Sequence, residues 1–548
     1  MIEVNRRTAL KTGGAVAAML TSSGLASAAP TGGSGGSDVF RHGVASGDPL
    51  PHRVLLWTRV TPEPAATPGS GRGRETRVDW EIATDQQFRH VAAHGSTTTG
   101  PWRDHTVKID AAGLNPNTWY WYRFRANGAI SPTGRTRTAP ATGTAVPRLR
   151  VGMVSCANYQ AGYFSAYRHL AARDDLDAVI HLGDYIYEYA PGEYQAGDEL
   201  VRAHDPAVET TTLEHYRRRH AQYKSDPDLQ ALHARVPFIA TWDDHEIANN
   251  TWSDGAENHD EDTEGPWEQR KRAASQAYAE WMPVRYEPGR PLYRRFTFGD
   301  LAELSMLDLR SHRSEQVSSP LSPGTTDPDR TITGDAQMDW LTDWLKHATA
   351  QWKLIGSSVM ITPVRFPATL SIGERRGLAE LTGTPLVQGL PYNVDQWDGY
   401  QADQAELFGV LRDWGIRDTV FLTGDIHSAW AADLPADLSR YPFNGNSIGT
   451  ELVCTSITSD NMDDILRVPP RTASVAVEAA IRLNNPHIKH VELDSHGYSV
   501  LDITPERVHM DWFALADRTD PGSTAARSAS FAVPAGSQRV TEAPEGLR

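Results

Sequence analysis

The chain has only two cysteines in 548 residues, Cys156 and Cys454. A pair so far apart makes no disulfide framework, and the absence of C-x-x-C excludes the usual thiol-redox arrangement, although the two could pair with each other in an oxidising compartment. Positive charge is short as well: 53 lysines and arginines face 69 aspartates and glutamates, a formal net charge of −16. Such a balance opposes nonspecific nucleic-acid binding, so no nucleic acid is expected as a partner. An anionic substrate would need local positive charge, for which bound metal ions are the strongest source. Long apolar runs are missing near the N-terminus, where Gly13 to Leu20 falls far short of the roughly 20 residues of a membrane-spanning helix. No repeat of solenoid period is present.

What the chain does have is 39% apolar residues with 16 Trp and 18 Tyr, a composition that suits a packed globular enzyme. A single core seldom grows past about 250–300 residues, so one large and one small domain are expected. Arg6-Arg7 lies in Asn5-Arg6-Arg7-Thr8-Ala9-Leu10-Lys11, ahead of the weak apolar run and of the small-residue stretch Ala26-Ser27-Ala28. This reads residues 1–29 as a twin-arginine signal peptide, with the twin-arginine export machinery as a partner of the precursor, a secreted (extracellular or cell-envelope) location and no transmembrane anchor after cleavage. Removing those residues takes away a net +2 and leaves −18.

Residues 31–37 form a Gly/Ser leader, and order is expected from near Val39. Over residues 38–146 the pattern is strands and turns, with strands at Val54–Val60, Arg77–Ala83, His105–Ile109 and Trp119–Arg125. The segment from Leu114 through Trp119-Tyr120-Trp121-Tyr122-Arg123-Phe124 resembles the corner of a fibronectin type III sandwich, where a tyrosine hydroxyl bonds back to the backbone. A small all-β, fibronectin III/Ig-like domain is therefore expected, its alternating aromatics serving as core. Over 147–530 short apolar strands alternate with helical stretches, as in an α/β domain. The strands are read at Leu149–Ser155, Ala178–Leu182, Phe238–Trp242, Leu301–Leu307, Leu354–Ile361 and Val420–Thr423, and the helices near 210–224, 266–282, 335–349 and 401–414.

Polar clusters follow several of these strands, at the sheet edge where α/β proteins build sites. In Gly183-Asp184-Tyr185-Ile186-Tyr187 the glycine allows a tight turn that exposes Asp184, whose carboxylate suits a hard cation and can bridge two. Tyr187 reaches the same ion if the loop makes one turn. An aspartate there serves equally as a turn or helix cap, and the motif alone leaves both uses open. In Trp242-Asp243-Asp244-His245-Glu246, followed by Asn249-Asn250, adjacent carboxylates repel unless a cation, a proton or solvent relieves them. In Thr423-Gly424-Asp425-Ile426-His427, strand alternation would put Asp425 and His427 on one face. Cys156, at the end of the first strand, reads as a small core residue or, beside a metal, as a thiolate.

Together these segments resemble the metallophosphoesterase pattern, and more closely the PhoD-type alkaline phosphatase/phosphodiesterase family. The resemblance spans nearly the whole chain after residue 29, from Phe40-Arg41-His42-Gly43-Val44-Ala45-Ser46-Gly47-Asp48-Pro49 through Ser155-Cys156 and the three motifs above. It implies a two-sheet αββα sandwich holding a ferric ion (Fe3+) beside calcium (Ca2+). It implies further that Cys156, Asp184, Tyr187 and His427 hold the iron, that Asp184 bridges to calcium, and that Asp244 and Asp425 complete the calcium side. Where similar enzymes carry an asparagine on the strand after Trp-Lys, this chain reads Trp352-Lys353-Leu354-Ile355-Gly356-Ser357-Ser358. Ser357 is then the candidate ligand, a weaker one than an amide carbonyl.

The chemistry this implies is hydrolysis of phosphate mono- or diesters by a hydroxide bridging the two metals, with His245 contacting phosphate or protonating the leaving group. Arg310 and Arg313 are read either as a phosphate fork or as surface ion-pair partners. The chain also resembles secreted actinobacterial-type phospholipase D of the same scaffold, which makes calcium-dependent cleavage of phosphatidylcholine the alternative. Such an activity would use the metals and not an H-x-K-x-x-x-x-D motif. A remoter alternative is a secreted protein that binds a wall polymer without turnover.

Overall fold

The structure, a computed structural model, describes residues 38–194, 200–365 and 390–547. The twin-arginine reading of residues 1–29 and the leader at 31–37 lie outside them. No helix among the described residues is long and apolar enough to cross a membrane.

Two large sheets carry the fold. The first runs, edge to edge, through Thr541–Glu542, Ala525–Pro534, Arg507–Leu515, Gly497–Ile503, Leu149–Val154, Ala178–Leu182, Phe238–Thr241, Val44–Leu50, Arg53–Arg59 and Thr106–Ala112. The second runs through Arg294–Phe298, Ala302–Met306, Trp352–Ser357, Thr419–Thr423, Ser447–Val453, Ala429–Pro435 and Ile488–Glu492. Central strands are parallel in both sheets and antiparallel strands close the edges.

Near-continuous apolar runs are what a strand needs when both its faces are covered. Val151, Met153, Ala178, Ile180 and Leu182 of the first sheet meet Leu304, Leu354, Val420 and Leu422 of the second in the core between the sheets. The alternate residues Val154 and Val179 face Tyr167, Leu170, Tyr216, Leu229 and Tyr278, carried by an outer layer of helices at Ser165–Ala171, Leu213–Lys224, Pro227–His233 and Trp267–Trp281. Ile355 and Phe421 meet Met338, Leu341 and Leu407 of the helices Asp335–His347 and Gln401–Asp413 on the far side. The result is the expected αββα order of layers.

The N-terminal all-β region has its own core of Val54, Leu56, Val78, Ile82, Tyr120, Tyr122 and Phe124. Tyr120 is the corner tyrosine, accepting the Asn115 N–H at 2.8 Å. One of its two sheets, Val44–Leu50, Arg53–Arg59 and Thr106–Ala112, joins the first large sheet directly, Gly47 standing opposite Phe238 in parallel register.

Candidate metal centre

Strands of both sheets deliver their C-terminal ends to one edge, and the loops there are held in an uncommon backbone state. Cys156, Asp184, Asn250, Asp425 and His427 all have φ between 53° and 63°. Few non-glycine residues adopt this left-handed region, and such strain clusters where surrounding structure fixes a site. Two glycines let the loops close on each other. A Cβ on Gly183, itself at φ 104°, would lie 2.5 Å from the Asp243 Cβ, and one on Gly424 would lie 2.7 Å from the Ser155 Cβ. The strand before Asp425 ends at Thr423, so alternation is not what pairs Asp425 with His427. A tight turn, Ile426 N–H to Gly424 C=O at 2.8 Å, follows instead, and the two side chains fall in different ligand groups. The turn after Gly183 likewise presents Asp184 to the interior, where it is 1% exposed, and not to solvent.

Three groups of ligand-type side chains converge, each with its donor atoms within 4.8 Å of one another: Cys156, Asp184 and His427; Asp184, Asp244 and His245; and Asp243, Asp244 and Asp425. Asp184 belongs to two groups and so does Asp244, which makes a chain of adjoining sites. Tyr187 Oη donates to Asp184 Oδ2 at 2.9 Å and lies 3.3 Å from His427 Nε2, placing the phenol in the first group. His427 Nδ1 lies 2.9 Å from the Asp460 carbonyl, a bond only Nδ1–H can make. That assigns the tautomer and turns the Nε2 lone pair toward the cluster, while burial brings its pKa down to about 4 and keeps the ring neutral.

The donor set fits a cation. Asp184 Oδ1 is buried with no hydrogen-bond partner, an expensive arrangement for a carboxylate unless a positive charge faces it. Burial pushes the pKa of Asp184 well up, and Asp244, Asp243 and Glu246 add to this against His245. Burial and Asp243 do the same to Asp425 against Arg310. Burial also favours protonated Asp244, but Arg310 and His245 outweigh it and hold that group below its usual range. Two carboxylates, Asp184 and Asp425, therefore remain under-compensated, each in a group that includes Asp244.

The fully buried Arg310 supplies the fixed counter-charge. Its guanidinium donates to Asp243 at 2.6 and 2.8 Å, to Asp395 at 2.8 and 3.1 Å and to Asp425 at 3.3 Å. Arg313, equally buried, pairs with Asp395 at 2.7 Å and holds the Thr251 carbonyl. Neither is a surface ion-pair partner, and both forks are filled by carboxylates and backbone. Asp243 and Asp395 were not among the residues expected at the site. The doubled aspartate of Trp242-Asp243-Asp244 was the available signal for the first, and nothing local marks the second.

His245 is buried beside this centre. Its Nδ1 is 2.8 Å from Glu188 Oε2, and its ring stacks on Tyr187 with centroids 4.2 Å apart. Glu188, also unforeseen, accepts the Asn249 N–H at 2.7 Å through its other oxygen. Burial disfavours the imidazolium, but Asp244, Glu188 and Asp184 outweigh it and raise the His245 pKa well above its ordinary value. Glu246 braces the motifs against each other, accepting the backbone N–H groups of Asp184, Tyr185 and Asp243 at 2.7 to 3.1 Å. The Asn250 N–H reaches Asp244 Oδ2 at 2.6 Å, whereas the Asn249 and Asn250 amides both turn to Glu257.

The two cysteines are not paired: both are free and buried. Ser155 Oγ stands between them, 3.1 Å from Cys156 Sγ and 3.4 Å from Cys454 Sγ. Burial and the Asp184 carboxylate push the Cys156 thiol well above its usual range, so only a cation would make it a thiolate. Ser357 ends its strand at the same edge, but its hydroxyl donates to the Val359 carbonyl at 2.7 Å. The chain does contain one H-x-K-x-x-x-x-D match, His487, Lys489 and Asp494. Its side chains serve separate structural partners: the Pro363 carbonyl for His487, the Tyr441 hydroxyl for Lys489 and the Arg471 N–H for Asp494.

Residues 151–512 match the PhoD-like phosphatase family, and residues 25–140 match the N-terminal domain of PhoD-like phosphatases. The chain is 37% identical to alkaline phosphatase D of Bacillus subtilis (strain 168) over 502 residues, covering 90% of this chain and 80% of that protein. The solved structure of PhoD superposes with a TM-score of 0.82 at 35% identity, over 94% of this chain and 93% of that one. On matches of this extent, the chain belongs to the PhoD-like phosphatase family, a family of phosphoric ester hydrolases.

Proposed function

We propose that the protein is an exported, metal-dependent hydrolase of phosphate mono- and diesters, with Fe3+ held by Cys156, Asp184, Tyr187 and His427 and Ca2+ held by Asp184, Asp244 and Asp425. The observation that carries this reading is the sharing of Asp184 and Asp244 between adjoining ligand groups, with a buried Asp184 oxygen left unpartnered. Bound metals would supply Lewis acidity toward the phosphoryl oxygens and acidify an attacking water. The chain's own residues do the rest. Tyr187 and His427 close the first group, the latter locked in its tautomer by the Asp460 carbonyl. Arg310 neutralises Asp243 and Asp395, so charge developing on the phosphate is not opposed by every carboxylate nearby. Glu188 fixes His245 through Nδ1 and leaves Nε2 free to pass a proton to the departing ester oxygen. Export is assigned to residues 1–29, whose Arg6-Arg7 and Ala26-Ser27-Ala28 have the form of a twin-arginine signal.

Metal analysis of the purified exported protein, beside Asp184→Asn, tests this. Bound iron and calcium are expected in the parent, and the variant should lose metal and at least about 100-fold in turnover together while keeping its fold. Normal occupancy and turnover in the variant would remove Asp184 as the shared ligand. Side-by-side rates on p-nitrophenyl phosphate, its diester and phosphatidylcholine distinguish the ester hydrolase proposed here from a phospholipase D.

A further inference from the structure

Beside His245 lies a group of rings that the proposed chemistry does not use. Tyr189 and Tyr194 stack almost parallel, with centroids 4.8 Å apart and planes 3° from each other. The Tyr194 ring is also 5.1 Å from His245 and 5.6 Å from Tyr187, and the Tyr189 ring is 5.6 Å from His245. Unlike Tyr187, which is buried beneath His245, both are only half-buried. The wall is held in place. The buried Arg219 guanidinium bonds the Tyr189 carbonyl at 3.1 Å and also the Tyr187 carbonyl, and Tyr194 is set by a left-handed φ of 53° two residues after Gly192.

A proton donor must lie within about 3 Å of the oxygen it protonates. With Nδ1 taken by Glu188, that oxygen has to approach Nε2. The first atoms beyond it in the leaving group then fall within contact distance of rings whose centroids are 5 to 6 Å from the imidazole. A planar group placed there can stack in offset or edge-on geometry, whereas a flexible alkyl or polyol group gains only ordinary contact. We infer that Tyr189 and Tyr194 form an aromatic wall that favours phosphate esters with planar aromatic leaving groups, an inference that rests on the function proposed above.

The test compares phenyl phosphate with glycerol phosphate on the metal-loaded parent, Tyr194→Ala, Tyr194→Leu and Tyr194→Phe. Leucine keeps apolar bulk without a planar face, and so covers the case in which alanine fails to fold. The aryl-to-alkyl ratio of kcat/KM should fall about five-fold in the alanine and leucine variants and return to the parent value in the phenylalanine variant. Competition by benzylphosphonate against ethylphosphonate, neither of which reacts, should lose the same ratio in inhibition constants. An unchanged ratio in both measurements overturns the wall, whatever happens to absolute rates, because the tyrosines would then only pack His245. Failure of the function itself looks different: the parent would hydrolyse neither ester, or Asp184→Asn would hydrolyse both normally.

Discussion

At the residue scale, the two cysteines are the sharpest case of one residue type placed in two roles. Both are fully buried and both touch Ser155, yet only Cys156 lies with Asp184 and His427. Cys156→Ser should shift the visible charge-transfer band of a ferric protein and lower iron retention and turnover, because a hydroxyl ionises far less readily than a thiol. Cys454→Ser should leave spectrum and turnover alone and cost about 1 kcal/mol of stability or less. Small, equal effects from both changes in absorption and iron content would return Cys156 to a packing role. The convergence of Cys156, Asp184, Tyr187, Asp244, Asp425, His427 and His245 was implied by the family resemblance that the motifs after the strands carry together, while each motif alone left a structural role open. Glu188 directly follows one of those motifs and Glu246 sits inside another, but neither could be assigned partners, because their hydrogen bonds reach across loops some 60 residues apart. Asp395 and the carboxylate-bound state of Arg310 were beyond reach for a stronger reason, since burial decides whether an arginine meets phosphate or protein.

At the element scale, strands and helices with a clear apolar pattern were readable to within a few residues: the strand Ala178–Leu182 as observed, and the helices Leu213–Lys224 and Gln401–Asp413 close to their expected limits. Strands such as Gly497–Ile503 and Arg507–Leu515 were not singled out, although they build one wing of the first sheet. The helix Leu213–Lys224 carries a conspicuous burden, His220, buried between Tyr185 and Tyr278 with neither ring nitrogen bonded. Burial, with Lys224 and Arg219 nearby, lowers its pKa to about 3. The unfolded chain binds a proton at this position below its ordinary pKa near 6.5, and the native state does not until about 3, so this contribution to stability is lost as pH falls through that interval. His220→Phe should therefore be neutral or slightly stabilising at pH 7 and gain about 2–3 kcal/mol over the parent at pH 4.5. Urea unfolding at pH 7, 5.5 and 4.5 would show it, and a parent-to-variant difference that stays constant with pH would refute it.

At the scale of the whole molecule, the centre draws on strands from both sheets, so its charge balance is also a folding term. Cations that bind the assembled site and not the unfolded chain add about 4 kcal/mol at 1,000 times their dissociation constant. Stripping metal with a chelator should accordingly lower the thermal midpoint by several degrees, and adding iron and calcium back should restore it. A midpoint indifferent to chelation, in protein shown to have lost its metal, would mean that the under-compensated Asp184 and Asp425 simply take up protons. The sequence by itself determined the all-β start and the α/β remainder, because apolar periodicity and turn residues act over a few positions. It also determined which carboxylates, histidines and cysteine follow strand ends. Only the tertiary structure decided that one sheet of the N-terminal region continues into the first large sheet at Gly47 and Phe238, since register between distant strands has no local signature. The same holds for the left-handed turns that aim Cys156, Asp184, Asp425 and His427 at one point. Such strained backbone persists only because the packed loops around it leave no other conformation, and that constraint exists nowhere but in the folded chain.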